Sequence, residues 1–182
     1  EDPMGHGTHV AGSVMSRGTA SGGKLKGGAH GAMFVPQSLW SKVIDNLSLP
    51  AKLGDIFSNA YAEGARIHTN SWGKAANLGV YETTSAQVDE YMWNNPDMLI
   101  LFAAGNSGVD KNRDGVIDSG SVCSPGTAKN ALTVGASENV TTKGGIQKFV
   151  RELNGAATNW PAEPISSSKI SDNAEGLAMF SS

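Results

Sequence analysis

Residues 98–104 (MLILFAA) form an unbroken apolar run closed by Gly105, Asn106, Ser107 and Gly108, and this run constrains the fold more than any other segment. A short apolar run bounded by turn residues reads as a strand buried on both faces, the position of a strand inside a parallel sheet. Residues 65–71 (ARIHTNS) and 130–136 (NALTVGA) read as further strands. Between them lie helical patterns. Residues 50–64 carry Leu53, Ile56, Phe57, Ala60 and Tyr61 at helical spacing, with Gly64 as the stop. Residues 85–95 put Val88, Tyr91 and Met92 on one face, with Ser85 as N-cap. Helix and strand alternate, so the expected class is α/β with a mainly parallel sheet flanked by helices. Residues 32–39 (AMFVPQSL) read as a short strand interrupted by Pro36. Residues 138–176 lack periodicity and read as a polar surface excursion.

The chain's 182 residues fit one domain with a sizeable core. Its net charge of -3 gives no reason to expect nucleic acid or a membrane surface as a partner. No apolar run approaches the roughly 18 residues that span a bilayer, so no membrane contact is expected. Cys123 stands alone, which excludes an intrachain disulfide without excluding secretion.

Two segments carry chemistry. His6, Gly7, Thr8, His9, Val10, Ala11 and Gly12 form a glycine-flanked loop that opens a helix over residues 5–15. An imidazole fixed there suits proton transfer to and from a nucleophile. Taken alone, His6 also suits a surface residue, or half a metal site with His9, although no HExxH pattern or carboxylate-rich partner accompanies it. Ala103, Ala104, Gly105, Asn106, Ser107 and Gly108 follow the buried strand, so Asn106 stands at the sheet edge where open α/β folds bind ligands. Its amide can donate to an oxyanion, and the same residues also make an ordinary turn. Cys123 is a rival nucleophile in principle, but it sits before Ser124 and Pro125 with no supporting motif.

Together, HGTHVAG and AAGNSG resemble the subtilisin-like (S8) serine peptidases. TNSWG at 69–73, SPGTAKNALTVGA at 124–136 and AMFSS at 178–182 resemble further family segments in the family's order. ARIHTNSWG and SPGTAKNALTVGASEN are most similar to the KP-43-type oxidatively stable alkaline proteases of Bacillus. The resemblance implies a subtilisin-like fold and hydrolysis of peptide bonds through an acyl-enzyme. It implies His6 as general base, His9 as a structural histidine and Asn106 as oxyanion donor. It also implies that Ser71, Trp72 and Gly73 line one side of the cleft, pairing by backbone with an extended protein or peptide substrate. Ala103, Ala104 and Gly105 are implied for the other side and for a wall of the P1 pocket. A secreted, monomeric, bacterial protein is the corresponding expectation.

The family's catalytic aspartate and its GTSMA-type nucleophile segment have no counterpart here, and Asp2 matches no aspartate motif. The chain therefore reads as a partial catalytic domain over 1–182, inactive by itself and marginally stable. A non-catalytic subtilase-like scaffold that binds calcium or peptide is the alternative. Calcium enters through residues 110–118 (DKNRDGVID). Asp110, Asn112, Asp114, the Val116 carbonyl and Asp118 are spaced as in the first half of an EF-hand-type loop, with Gly115 at the turn. Ser121 stands where such a loop has its bidentate Glu, and the pattern also suits an acidic, solvated turn.

Overall fold

The computed structural model describes residues 2–182. In chain order the elements are helix α1 (His6–Met15), strands β1 (Trp40–Ser41) and β2 (Asn46–Leu47), helix α2 (Gly54–Ala62), strand β3 (Ile67–Asn70), helix α3 (Thr83–Asn94), strands β4 (Leu99–Ala103) and β5 (Leu132–Val134), and the short helix α4 (Ala156–Asn159). Strands β3, β4 and β5 form a parallel sheet with β4 in the centre. Asn70 lies opposite Phe102, and Ala103 opposite Val134. All three strands thus end at one edge. The class is α/β, as the alternation predicts.

Helices α2 and α3 cover one face of this sheet. Leu53, Ile56, Phe57, Val88, Met98, Ile100, Phe102 and Ala128 form its core. Phe57 and Phe102 are fully buried, each worth about 1.5–3 kcal/mol of hydrophobic stabilisation. Gly64, at φ +92°, ends the α2 segment as expected.

Four expectations are corrected. Strand β4 is not buried on both faces. Ile100 and Phe102 are buried, but Leu99 is 40% exposed, beside Ile67 at 67% on β3 and Val134 at 47% on β5. These residues alternate with the buried ones, so the second face of the sheet is only partly covered. Residues 32–39 form no strand: Pro36 cannot donate to a ladder, and Met33 is solvent-exposed. A two-residue hairpin, β1–β2, follows instead.

Ser85 is not an N-cap, because α3 begins two residues earlier behind Glu82. Its hydroxyl is buried, bonded to Ser124 Oγ at 2.9 Å and Thr127 Oγ1 at 2.7 Å. Residues 138–176 are more than a surface excursion. Val150 and Ala156 make a second small core with Met179, joined by Leu153, Trp160, Ile165 and Ile170.

Candidate active site

The loops leaving β3, β4 and β5 surround a cavity of about 380 Å³. Residues 69–71 line it after β3, Ala103, Gly105 and Asn106 after β4, and Gly135 and Ala136 after β5, with Val10 of α1 alongside. A larger depression of about 460 Å³ at Met92, Trp93, Pro96, Met98 and Asn130 contains no residue of HGTHVAG or AAGNSG. The cavity at the strand ends is the one lined by residues of HGTHVAG and AAGNSG, and it lies where parallel sheets place their sites.

Asn106 is exposed, and its side chain has no hydrogen-bond partner among the described residues. Its backbone is held from behind. Ser107 N–H donates to Ser182 Oγ at 3.0 Å, Ser182 N–H to Gly105 O at 3.2 Å, and Gly108 N–H to Phe180 O at 2.9 Å. Residues 180–182 thus brace the Asn106 loop while its amide stays free to donate. Gly105 adopts φ +123°, in the region that favours glycine, and a Cβ there would lie 2.6 Å from Cys123 Sγ.

Residues 122–124 thread beneath both sides of this edge. Cys123 N–H donates to Ala104 O at 2.8 Å, and Lys74 N–H donates to Ser124 O at 2.8 Å. A Cβ on Gly73 would lie 3.0 Å from Cys123 Cβ. Cys123 is a buried free thiol wedged between residues 73 and 105, a packing position.

The structure brings Asn106, Ser71, Ala103 and Gly105 together around the cavity. It does not bring Trp72, Gly73, Ala104 or His6 to the lining. Ala104 is buried, while Gly73 packs on Cys123. The Trp72 ring turns inward, edge-on to Phe102 with centroids 5.3 Å apart. His6 is the first residue of α1 and is exposed, as is His9. Asp2 is occupied at the helix N-terminus, where its carboxylate accepts Thr8 N–H at 2.7 Å. That bond holds its pKa below the ordinary carboxylate value.

Asn70 escaped the sequence reading as a site residue. It lines the cavity and is buried and fully hydrogen-bonded. Its signal was the period of two, which places 68, 70 and 72 on one side of the chain.

In the 110–118 loop, the Asp110 carboxylate is fully buried and accepts Asp114 N–H at 3.0 Å and Gly115 N–H at 3.1 Å. Asn112 Oδ1 also accepts Asp114 N–H, Asp114 Oδ1 accepts Val116 N–H, and Asp118 Oδ2 accepts Lys111 N–H. Gly115, at φ +80°, presses on Glu163 O so closely that no side chain fits. Asp110 is the buried member of the set, while Asn112, Asp114 and Val116 are exposed; all five positions offer oxygen, the donor type that a hard cation takes. Among the described residues, no three His, Cys, Asp or Glu side chains converge on one point close enough to hold a metal ion.

The Peptidase_S8 (Subtilase family) profile matches residues 1–182. The chain belongs to the subtilase family. It is 33% identical over 141 residues to the "Serine protease/ABC transporter B family protein tagD" of Dictyostelium discoideum, covering 74% of this chain and 7% of that protein. Alkaline protease 1 of Aspergillus clavatus is 28% identical over 160 residues, covering 84% of this chain and 34% of the relative. Serine protease AprX of Bacillus subtilis is 28% identical over 157 residues, covering 78% and 31%. The chain thus spans about a third or less of the length of these relatives. Among the described residues of this subtilase, no helix is long and apolar enough to cross a membrane.

Proposed function

We propose that this chain is part of a serine endopeptidase catalytic domain that cleaves extended peptides through an acyl-enzyme. The observation that carries the reading is the cavity at the parallel strand ends, with Asn106 exposed on its rim and braced from behind. In this reading Asn106 donates its amide N–H to the oxyanion, and His6, unencumbered at the start of α1, takes and returns the nucleophile's proton. Residues 71–73 pair with substrate backbone. Residues 103–105, all small, leave room for a bulky P1 side chain.

The aspartate and the nucleophile belong to segments outside these 182 residues. No Gly-Thr-Ser-Met-Ala sequence occurs here, and the half-exposed apolar face at Ile67, Leu99 and Val134 supports the same view. A parallel sheet is ordinarily covered on both faces. The 182 residues alone are therefore expected to show no turnover of a chromogenic peptide. Clear turnover that His6→Ala abolishes would overturn this assignment of the missing residues.

A non-catalytic scaffold is the second reading, favoured by His6 standing outside the cavity lining. The parent reading frame discriminates: an aspartate motif upstream and a GTSMA motif downstream support the enzyme, and substituted positions there support the scaffold. A secreted, monomeric bacterial protein akin to the oxidatively stable alkaline proteases of Bacillus completes the proposal. The Aspergillus relative's name supports its alkaline part.

The proposal extends to Ca²⁺ at residues 110–118, held by Asp110, Asn112, Asp114, the Val116 carbonyl and Asp118, as a structural ion with no part in the chemistry. Its support is the all-oxygen donor set and the buried Asp110 carboxylate. Asp118 Oδ2 accepts the Lys111 N–H, which leaves its Oδ1 to face a cation. Calorimetric titration should give heat at or below millimolar calcium and a raised melting temperature. Absence of both would remove the site.

A further inference from the structure

Three residues on one side of β3 and its extension are linked through polar atoms buried beside the substrate edge. Asn70 is 4% exposed. Its Nδ2 donates to Leu101 O on β4 at 3.1 Å, and its Oδ1 accepts Trp72 Nε1–H at 3.2 Å. The Trp72 indole is thereby fixed against Phe102, and residue 71, between the two, lines the cavity.

His68 lies on the other side of Asn70. Gln37 Nε2 donates to Ile56 O at 2.8 Å, which turns Gln37 Oε1 toward the ring, 2.7 Å from His68 Nε2. Gln37 Oε1 can only accept, so Nε2 carries the proton of the neutral ring. Nδ1 is then a bare acceptor, buried and without a partner among the described residues.

We propose that Asn70 is a positioning residue for the substrate wall, and that its hold on Trp72 is loosened when His68 is protonated. The proposal rests on reading residues 71–73 as that wall. A proton on Nδ1 creates a buried N–H donor. Phe57 of α2 meets the ring edge-on at 5.0 Å and offers no acceptor. Ile100 lies opposite on β4, and Gln37 is already engaged. Among the described residues, burial and the Asn70 side chain are what shift the ring's titration, with no charged side chain contributing. Burial depresses the His68 pKa from 6.5, and the Asn70 side chain opposes that by favouring the charged ring. The Asn70 amide already lies against His68, its Nδ2 donating to His68 O at 3.4 Å, so the new charged donor draws on Asn70 Oδ1 and weakens the bond that oxygen accepts from Trp72. Stability follows the same sign. It is fully present above 6.5 and falls as pH drops from there toward the folded-state pKa, because the unfolded chain binds the proton more readily.

The test is an ¹⁵N-correlation titration of the chain, which has four indole N–H groups. The Trp72 signal, assigned with Trp72→Phe, should move with the His68 ring at a midpoint below 6.5. It should stay flat in His68→Phe. A native Trp72 signal that is flat across the His68 midpoint overturns the relay without reliance on any variant. A blocked extended tetrapeptide then tests the wall. Its binding should shift the amides of residues 71–73 and weaken about tenfold in Asn70→Leu. Shifts elsewhere overturn the wall reading while the Trp72 titration stands. Unchanged binding in a folded Asn70→Leu overturns the positioning role.

Discussion

Asn106→Ala, made in an enzyme that carries all three triad residues, should lower kcat by about 10²–10³ with KM little changed, or about 2.7–4 kcal/mol of transition-state stabilisation. That range is known for an oxyanion-hole asparagine in subtilisin itself and is carried over here. The structure supplies the reason for expecting it in this chain. The Asn106 side chain is exposed and makes no hydrogen bond among the described residues, so its donors are available to a ligand. The adjoining backbone is pinned through Ser107 and Gly108 to residues 180–182, so the donor is placed before substrate arrives. Folding stability should change by no more than about 0.5 kcal/mol, because nothing buried is lost. Steady-state kinetics together with a thermal melt separate the outcomes. An unchanged kcat removes Asn106 from the oxyanion hole, and a lower melting temperature would show a structural role instead.

The parts of this fold that were legible in the sequence are those set by local pattern. The 98–104 run became β4, and the spacing of Leu53, Ile56, Phe57 and Ala60 became the buried face of α2 and its entry. What failed depended on partners distant in sequence. Whether β4 is covered on its second face is decided by what lies over Leu99 and Leu101, which the run itself does not encode. Ser85 has the residue type of a cap, yet it is bonded to Ser124 and Thr127, about forty positions away. The second core escaped because Val150, Leu153, Trp160 and Ile165 project from 3₁₀ turns and loops, where no fixed period exists to be read. The candidate site divides in the same way. HGTHVAG and AAGNSG point to it by residue type, and of them Val10, Ala103, Gly105 and Asn106 line the cavity while His6 does not. The motif read as a block does not show that the Trp72 ring turns away from the cavity. Period two from His68 and Asn70 would have turned its ring toward Phe102.

Gly105→Ala tests whether the Asn106 loop is as tightly specified as its packing suggests. At φ +123° an L side chain is strained, at a cost of about 1–3 kcal/mol. The added Cβ would also stand 2.6 Å from Cys123 Sγ and 2.9 Å from Ser182 Oγ. Overpacking of that kind costs a further 1–3 kcal/mol, roughly. The variant should therefore lose about 2–6 kcal/mol in denaturant unfolding, a large share of the stability of any single domain. The two contributions are separable. Cys123→Ala removes the sulfur and leaves the backbone strain, so in a double-mutant cycle the pair should be more stable than additivity predicts by about 1 kcal/mol or more. Additivity would assign the whole cost to the backbone at Gly105 and the contact with Ser182 Oγ. A loss below about 0.5 kcal/mol in the single variant would mean that the loop yields. The rigid placement of Asn106 that the first prediction needs would then fail with it.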